Sequence, residues 1–462
     1  MASIAACTNS SSKVEFPHRA GRQTTEQFEH NPMKLNRRQF LTRATATAAM
    51  AAPFLLPSRI WSAQGTDKPN SRLTLGYIGV GKQGRHLLQS FLPHGNVQIV
   101  AVNDVDTTRR QHHQKLVEDF YQTKQDAEFK GCAAYSDFRE LIARKDIDAV
   151  VIATPDHWHA YPVVMAANAG KDIYCEKPLS LTIPEARAMV KAVRKNDRIF
   201  QTGSMQRSST EFWKACTLVR NGAIGKVKEI YISIGGPSQW CDLPEEPVEP
   251  GLDWDFWLGS APQRPYNSVL SPRGIHDHFP NWRNYREYSG GMMTDWGAHH
   301  FDIAQWALGM DDSGPVEILP PDGKDVKRLT FKYANGTVMY HGGLEGYSFG
   351  VVFVGERGKV CVDRGKFKAE PEEIANVKVE DLPEKLYRSS NHYKDFVDAV
   401  HSRKKPICDV EIGARTASVC HLGNIAYWNK TALKWDPKAE KFVGGAGDNK
   451  WLDNEKRGDW KV

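Results

Sequence analysis

No CxxC pair occurs anywhere in the chain. Its eight cysteines stand at positions 7, 132, 175, 216, 241, 361, 408 and 420, with no tight spacing. That speaks against a structural zinc site and against a disulfide framework, and leaves only an isolated disulfide open. An excess of charge of one sign is also missing. Lys and Arg number 61 against 55 Asp and Glu, a net +6 over 462 residues. The basic residues are scattered, which gives no support to nucleic-acid binding. No run reaches the roughly 20 apolar residues of a membrane span, and no internal repeat or low-complexity tract is present. What remains is a globular composition, 40% hydrophobic and 25% charged, long enough for two or three domains.

The N-terminus differs from the rest. Residues 1–35 are polar. Arg37 and Arg38 then precede Phe40 and Leu41, and an Ala-rich apolar stretch runs from Ala44 to Leu56. This order resembles a twin-arginine signal peptide. Residues 1–63 are therefore read as a leader, and the mature protein is expected to be exported, in a bacterium to the periplasm, with no membrane span of its own.

The folded part begins near Arg72. LTLGYIGVGKQGRHLLQSFL reads as a strand, a glycine turn and an amphipathic helix. NVQIVAVNDVD is a second strand ending on Asp104, IDAVVIATP a third, and KDIYCEKP a fourth ending at Glu176. Asp137/Glu140 and Thr182/Glu185 have capping-box spacing and predict helix starts. This alternation predicts an α/β Rossmann domain over 72–205, a doubly wound parallel sheet covered on both faces. After about residue 205 the pattern becomes KVKEIYISIGG, DVKRLTFKYANGTVMYHGG and YSFGVVFVGERGKVCVDRG, strands with hairpin turns at ANGT and GERGK. Helices are expected at 210–221, 296–308, 391–403 and 412–429. Residues 206–440 should thus form an α+β domain, an open, mainly antiparallel sheet with helices on one face. The 441–462 tail should lie on the surface.

Two motifs carry chemistry. Gly79-Val80-Gly81-Lys82-Gln83-Gly84 follows a strand and opens a helix, and Asp104 ends the next strand about 20 residues on, the context that a dinucleotide fingerprint requires. Gly79 allows the turn, Gly81 the approach of a pyrophosphate, and Gly84 close helix packing. Lys82 and Gln83 complete the loop. Asp104 would accept from ribose hydroxyls, which favours NAD over NADP. Arg109 and Arg110 lie close enough to suit a 2′-phosphate. The second motif, Cys175-Glu176-Lys177-Pro178, puts Lys177 at the carboxyl end of a parallel strand, where such sheets bind ligands. Glu176 beside it is assigned to the cofactor.

GVGKQG, TPDHWH, CEKP and GGMMTDWGAHHFD, in this order, resemble the Gfo/Idh/MocA oxidoreductases from about Leu73 to the C-terminus. LDWDFWLGSAP, HLGNIAYWN and NKWLDNEKRGDW resemble that family's exported bacterial branch. The resemblance implies a catalytic set of Lys177, Asp295 and His299. It also implies Thr154, Pro155 and His159 near the nicotinamide, with His157 and Trp158 facing the substrate.

The spacing is consistent with that set. Positions 295, 299, 302 and 306 recur along one helix edge, while His300 is rotated about 100° away. His299 is the candidate base, Asp295 could hold a substrate hydroxyl, and Asp302 is a candidate substrate residue that could orient the ring or pair with another side chain, although packing alone also accounts for His300 and Asp302. The HxH pairs His157/His159 and His276/His278 lack a third metal ligand of clear spacing, so no metal is expected. Arg283 and Arg286 within the aromatic NWRNYREY stretch would suit a sugar, or a subunit contact.

The reading is an NAD-dependent oxidoreductase acting on a sugar, cyclitol or glycoside, with its NAD held tightly and recycled internally because an exported enzyme meets no NAD pool. The alternatives are a glycosidase working through transient C3 oxidation, as in the family's NAD-dependent glycosidases, and a sugar-binding protein without turnover. The open sheet suggests a homo-oligomer.

Overall fold

The computed structural model describes residues 72–347 and 350–462. The leader over residues 1–63, with Arg37 and Arg38, lies outside the described residues. Among the described residues no helix is long and apolar enough to cross a membrane.

Six short strands form the first sheet: β1 (Leu73–Ile78), β2 (Val97–Asn103), β3 (Ala133–Tyr135), β4 (Ala149–Ile152), β5 (Asp172–Cys175) and β6 (Phe200–Thr202). Their order is β3-β2-β1-β4-β5-β6, and every pair is parallel. The strands are mainly apolar and buried because helices cover both faces. These helices include α1 (Lys82–Phe91), α2 (Thr107–Thr123), α3 (Phe138–Ala143), α4 (Ala160–Asn168) and α5 (Ile183–Lys195). Two start as the sequence predicts. Thr182 and Glu185 form a full capping box on α5, whereas Asp137 caps α3 alone by accepting from the Arg139 amide. Strands β3 and β6, three residues each, are too short to register as a pattern.

The chain order reverses between β1 and β4. The carboxyl ends of the strands open there into a crevice, the ligand position in sheets of this kind. Gly79 follows β1, Thr154 follows β4 and Lys177 follows β5, so three separated segments meet at one edge.

The second part is a nine-stranded sheet with α6 (Thr210–Arg220), α7 (Trp254–Leu258), α8 (Met292–Asp295), α9 (Gly297–Leu308), α10 (His392–Ser402) and α11 (Val410–Asn429). Its strands are β7 (Val227–Ile232), β8 (Glu317–Leu319), β9 (Thr330–Lys332), β10 (Val338–His341), β11 (Val351–Gly355), β12 (Lys359–Asp363), β13 (Lys366–Glu370), β14 (Leu433–Asp436) and β15 (Lys441–Phe442). The order is β13-β12-β11-β7-β10-β9-β8-β14-β15, antiparallel except for the parallel β7–β10 pair. Ile230, Phe331 and Phe353 pack under Phe301 of α9.

Sequence order and spatial order part company at three places. Helix α10 sends Phe396, Val397 and Val400 into the core beside β1, although it follows the second sheet in the chain. Helix α11 places Val410, Ala414 and Ala417 in the Rossmann core and Val419, Leu422 and Ala426 in the other. The tail is not a loose surface segment. Strand β15 pairs with β14 beyond residue 440, and Trp460 packs back on the Rossmann domain, 4.7 Å from Trp158 and 5.5 Å from Tyr161 between ring centres.

Candidate active site

A cavity of about 910 Å³ runs from the glycine loop to the helices of the second part, a size that suits a dinucleotide with a small substrate. At its first end, α1 opens with no side-chain cap on its N-terminus. Its first amides are thus available to a phosphate, and the helix dipole favours negative charge there. Gly79 has φ +81°, and a Cβ there would sit 2.8 Å from the Thr154 amide; a Cβ on Gly84 would stand 2.2 Å from the Gly79 carbonyl. A Cβ on Gly81 would meet nothing within 4 Å, so the loop is open toward the cavity. The loop therefore fits a pyrophosphate.

Asp104 lines the same end. Its carboxylate accepts from the Val80 amide at 3.0 Å and the Asp106 amide at 3.0 Å, which braces the glycine loop and holds the acid where a ribose would lie. The two arginines that would suit NADP are engaged elsewhere. Arg110 donates to the Asp104 carbonyl at 2.6 Å, and Arg109 is buried against the carbonyls of Pro272 and Gly274. Lys82, Gln83, Thr154, Pro155 and Glu176 all line the cavity. Gln83 donates to Glu176 at 2.9 Å, and the Thr154 hydroxyl is buried with no partner among the described residues.

The catalytic candidates meet at the other end. Gly291, at φ +75°, turns the chain where a Cβ would strike the Ser238 amide at 2.4 Å, and α8 begins at once. Asp295 ends α8, Trp296 carries the chain on in helical conformation, and His299 lies in the first turn of α9. Lys177 Nζ donates to Asp295 Oδ1 at 2.6 Å and to its carbonyl at 3.1 Å, and Arg283 Nε stands 3.6 Å from the same Oδ1. Burial pushes the Asp295 carboxyl up, but Lys177 and Arg283 outweigh it and hold it below its ordinary value. His299 lines the cavity, and its Nδ1 has no partner among the described residues. Burial, Lys177 and Arg364 together hold its imidazole well below the ordinary range, so it is neutral and able to take a proton.

The predicted helix edge exists, but its two halves face different places. Asp302 and Trp306 lie beyond the cavity wall, and both meet the buried guanidinium of Arg207. That group donates to Asp302 at 2.7 and 2.8 Å, and to Asp311 at 2.6 Å, and lies 5.0 Å over the Trp306 ring. Thr416 also donates to Asp302. The substrate assignment of Asp302 is therefore corrected: it is a buried ion partner. His300 is turned away, buried, with Nε2 3.8 Å from Asp363.

His157 is corrected in the same sense. Its Nε2 lies 3.0 Å from the Trp257 carbonyl behind the cavity wall, whereas Trp158 does line the cavity. His159 does not line it either. Its ring nitrogens lie 2.8 Å from the Pro178 carbonyl and 3.0 Å from the Thr154 carbonyl, so it joins the two loops that carry Lys177 and Thr154. Arg286 is held between Trp240 and Trp428, outside the cavity.

Among the cavity residues that the sequence reading did not assign, three bear on the chemistry. Asp156 accepts from Ser289 at 2.6 Å, and burial pushes its carboxyl up to about 7. Trp296 sits between the two catalytic positions. Arg364 arrives from the β12–β13 turn. Neither a tryptophan flanked by catalytic candidates nor an arginine in a hairpin turn differs in pattern from an ordinary surface residue.

A dinucleotide cradle facing a lysine, a carboxylate and a neutral histidine defines an NAD-dependent oxidoreductase. The chain belongs to the Gfo/Idh/MocA family: residues 73–204 match the model described as the oxidoreductase family's NAD-binding Rossmann fold, and residues 213–462 match its C-terminal alpha/beta domain. An uncharacterized oxidoreductase, YrbE, of Bacillus subtilis is 23% identical over 75% of this chain and 92% of its own length. The myo-inositol 2-dehydrogenase of Thermotoga maritima is 26% identical over 51% of this chain, a match that spans 55% of that relative. Among solved structures, an aldose-aldose oxidoreductase from Caulobacter crescentus superposes with a TM-score of 0.53 at 18% identity, over 79% of this chain and 99% of that one. The WlbA dehydrogenase from Bordetella pertussis reaches 0.55 at 15% identity, over 79% and 99%. Both likenesses establish the fold.

Proposed function

We propose that the protein oxidises a hydroxyl of a sugar, cyclitol or glycoside and that it retains NAD from one turnover to the next. One observation carries the reading: the Lys177–Asp295 pair at 2.6 Å and the neutral ring of His299 share a cavity with the glycine loop. The bound nicotinamide would supply the hydride acceptor. In this arrangement Asp295 fixes Lys177, whose ammonium stands ready for a developing alkoxide. His299 takes the hydroxyl proton on an imidazole nitrogen. Similarity to the myo-inositol 2-dehydrogenase of Thermotoga maritima and the inositol 2-dehydrogenase of Salmonella typhimurium supports a polyol substrate.

Retention is supported by the segment around Pro272–Asp277, which lies along the glycine-loop end of the cavity. Arg109 holds the Pro272 and Gly274 carbonyls, and Arg85 pairs with Asp277. The glycosidase route needs a second proton carrier, and Asp156, titrating near neutrality in the same cavity, favours keeping it as a second reading. The intact Lys177, Asp295 and His299 set counts against a binding protein without turnover. Self-association is proposed on the open sheet face, where Tyr231 and Tyr340 lie side by side, 5.1 Å apart; the molecular mass in solution tests it.

The deciding experiment offers the purified protein inositols, aldoses, uronates, sugar phosphates and aryl glycosides. Reduction of its bound NAD is followed by near-ultraviolet absorbance, and products by mass spectrometry. An oxidoreductase yields a carbonyl product, and a glycosidase releases the aglycone. No reduction by any of these compounds would overturn the reading.

A further inference from the structure

The substrate end of the cavity holds a cation that the chemistry above does not use. Lys177 and Arg283 are both committed to Asp295. Arg364 is not: among the described residues no carboxylate lies within ion-pair distance of its guanidinium. The residue is exposed, and two contacts place its guanidinium. It lies 4.7 Å over the Trp296 ring. With its amide oriented to satisfy its neighbours, buried Gln206 accepts from Arg364 Nε at 3.2 Å and donates to the His299 carbonyl at 3.1 Å. One buried amide thus ties Arg364 to the segment that carries the base.

The other acids at this end do not neutralise it. Asp156 and Glu176 are buried and already bonded, to Ser289 and to Gln83, and burial drives both toward the uncharged form. Asp363, next in sequence, faces His300 at 3.8 Å, and its carboxylate accepts from the Arg364 backbone amide. A guanidinium seated over an indole at the edge of the cavity offers a planar fork to a carboxylate or phosphate.

We infer that Arg364 receives the anionic group of the substrate, so that the enzyme acts on an acidic carbohydrate and not on a neutral one. This rests on the oxidoreductase reading and narrows it to sugars that carry a carboxylate or a phosphate. Trp296, whose ring carries Arg364, lines the same cavity.

Matched probes test it. D-Glucuronate and D-galacturonate are titrated against their neutral methyl esters, and D-glucose 6-phosphate against D-glucose, with the quench of cavity tryptophan fluorescence as readout and reduction of bound NAD measured in parallel. The acid of at least one pair should bind roughly 10–100-fold tighter than its neutral partner. The uronate and phosphate arms show which anion is preferred. Arg364→Gln should abolish the difference with NAD content unchanged, and Arg364→Lys should restore part of it. Equal affinity for acids and neutral partners, or a preference that survives Arg364→Gln, overturns the inference. If neutral sugars alone reduce the bound NAD, this inference fails and the oxidoreductase reading stands. If neither set reduces it or binds, both fail.

Discussion

At His299, burial, Lys177 and Arg364 all favour the neutral ring. A base that must be neutral to work, and whose protonation is opposed on every side, stays active in mild acid. The acidic limb of kcat/KM for the oxidation should therefore fall well below the ordinary imidazole value of 6.5; a limb at 6.5 would remove His299 from the role. Substitution sharpens this. His299→Ala should lower single-turnover reduction of bound NAD about 10²–10⁴-fold, and Lys177→Ala by a comparable factor, because Asp295 is then left to face the alkoxide. His300→Ala should cost far less in rate, since that ring faces Asp363 across the wall, although loss of a buried ring should lower the melting temperature. A large rate loss in His300→Ala with His299→Ala active would reverse the assignment.

Between residue and molecule stand the elements that aim these side chains. The 295/299/302/306 edge was legible because helical periodicity is local. What lies opposite each position was not, because Arg207 comes from a segment nearly a hundred residues away and captures the lower half of the edge. The glycine loop shows the same division. Its pattern was readable, while the reason for Gly84 is the 2.2 Å approach of a Cβ to the Gly79 carbonyl. Gly84→Ala should force α1 away from the loop, lower stability by about 1–3 kcal/mol and leave the purified protein with little NAD. Gly95→Ala, where a Cβ meets nothing within 4 Å, is the matched control and should keep its NAD. Equal NAD content in the two variants would argue against the close-packing role of Gly84.

For the whole molecule, the C-terminal strap is the element whose importance exceeds its appearance. Arg457 donates to Asp255 at 2.6 Å and to the Gly259 carbonyl at 3.0 Å, Lys456 pairs with buried Glu185, and Trp460 abuts Trp158, Phe256 and Tyr161. Trp158 and Phe256 line the cavity, so the last residues of the chain support a wall that residues 156–158 begin. Deleting residues 456–462 should lower the melting temperature and loosen NAD retention. Trp460→Ala alone should cost about 1–3 kcal/mol, and Trp460→Phe should recover most of it. Unchanged NAD retention after the deletion would mean that the strap is only a surface contact. Export by the twin-arginine route, proposed from Arg37 and Arg38, is tested on the whole chain. Replacing Arg37 and Arg38 with Lys should trap the precursor inside a bacterial host, and periplasmic appearance of the altered protein in cell fractions would dismiss the twin-arginine reading.

The sequence by itself determined the two sheets and the dinucleotide loop with Asp104, which are written in local spacing: strand to glycine turn to helix. The Lys177, Asp295 and His299 set came from the resemblance to the family, and the helical spacing of 295 and 299 was consistent with it. The tertiary structure alone decided which neighbours of those motifs reach the cavity. It withdrew His157, His159 and Asp302 from the cavity wall and brought in Asp156, Trp296 and Arg364. It also carried α10 and Trp460 back onto the Rossmann domain. The physical reason is one and the same. A side chain's partner across a core or a cavity is chosen by packing between distant segments, and no spacing along the chain records that choice.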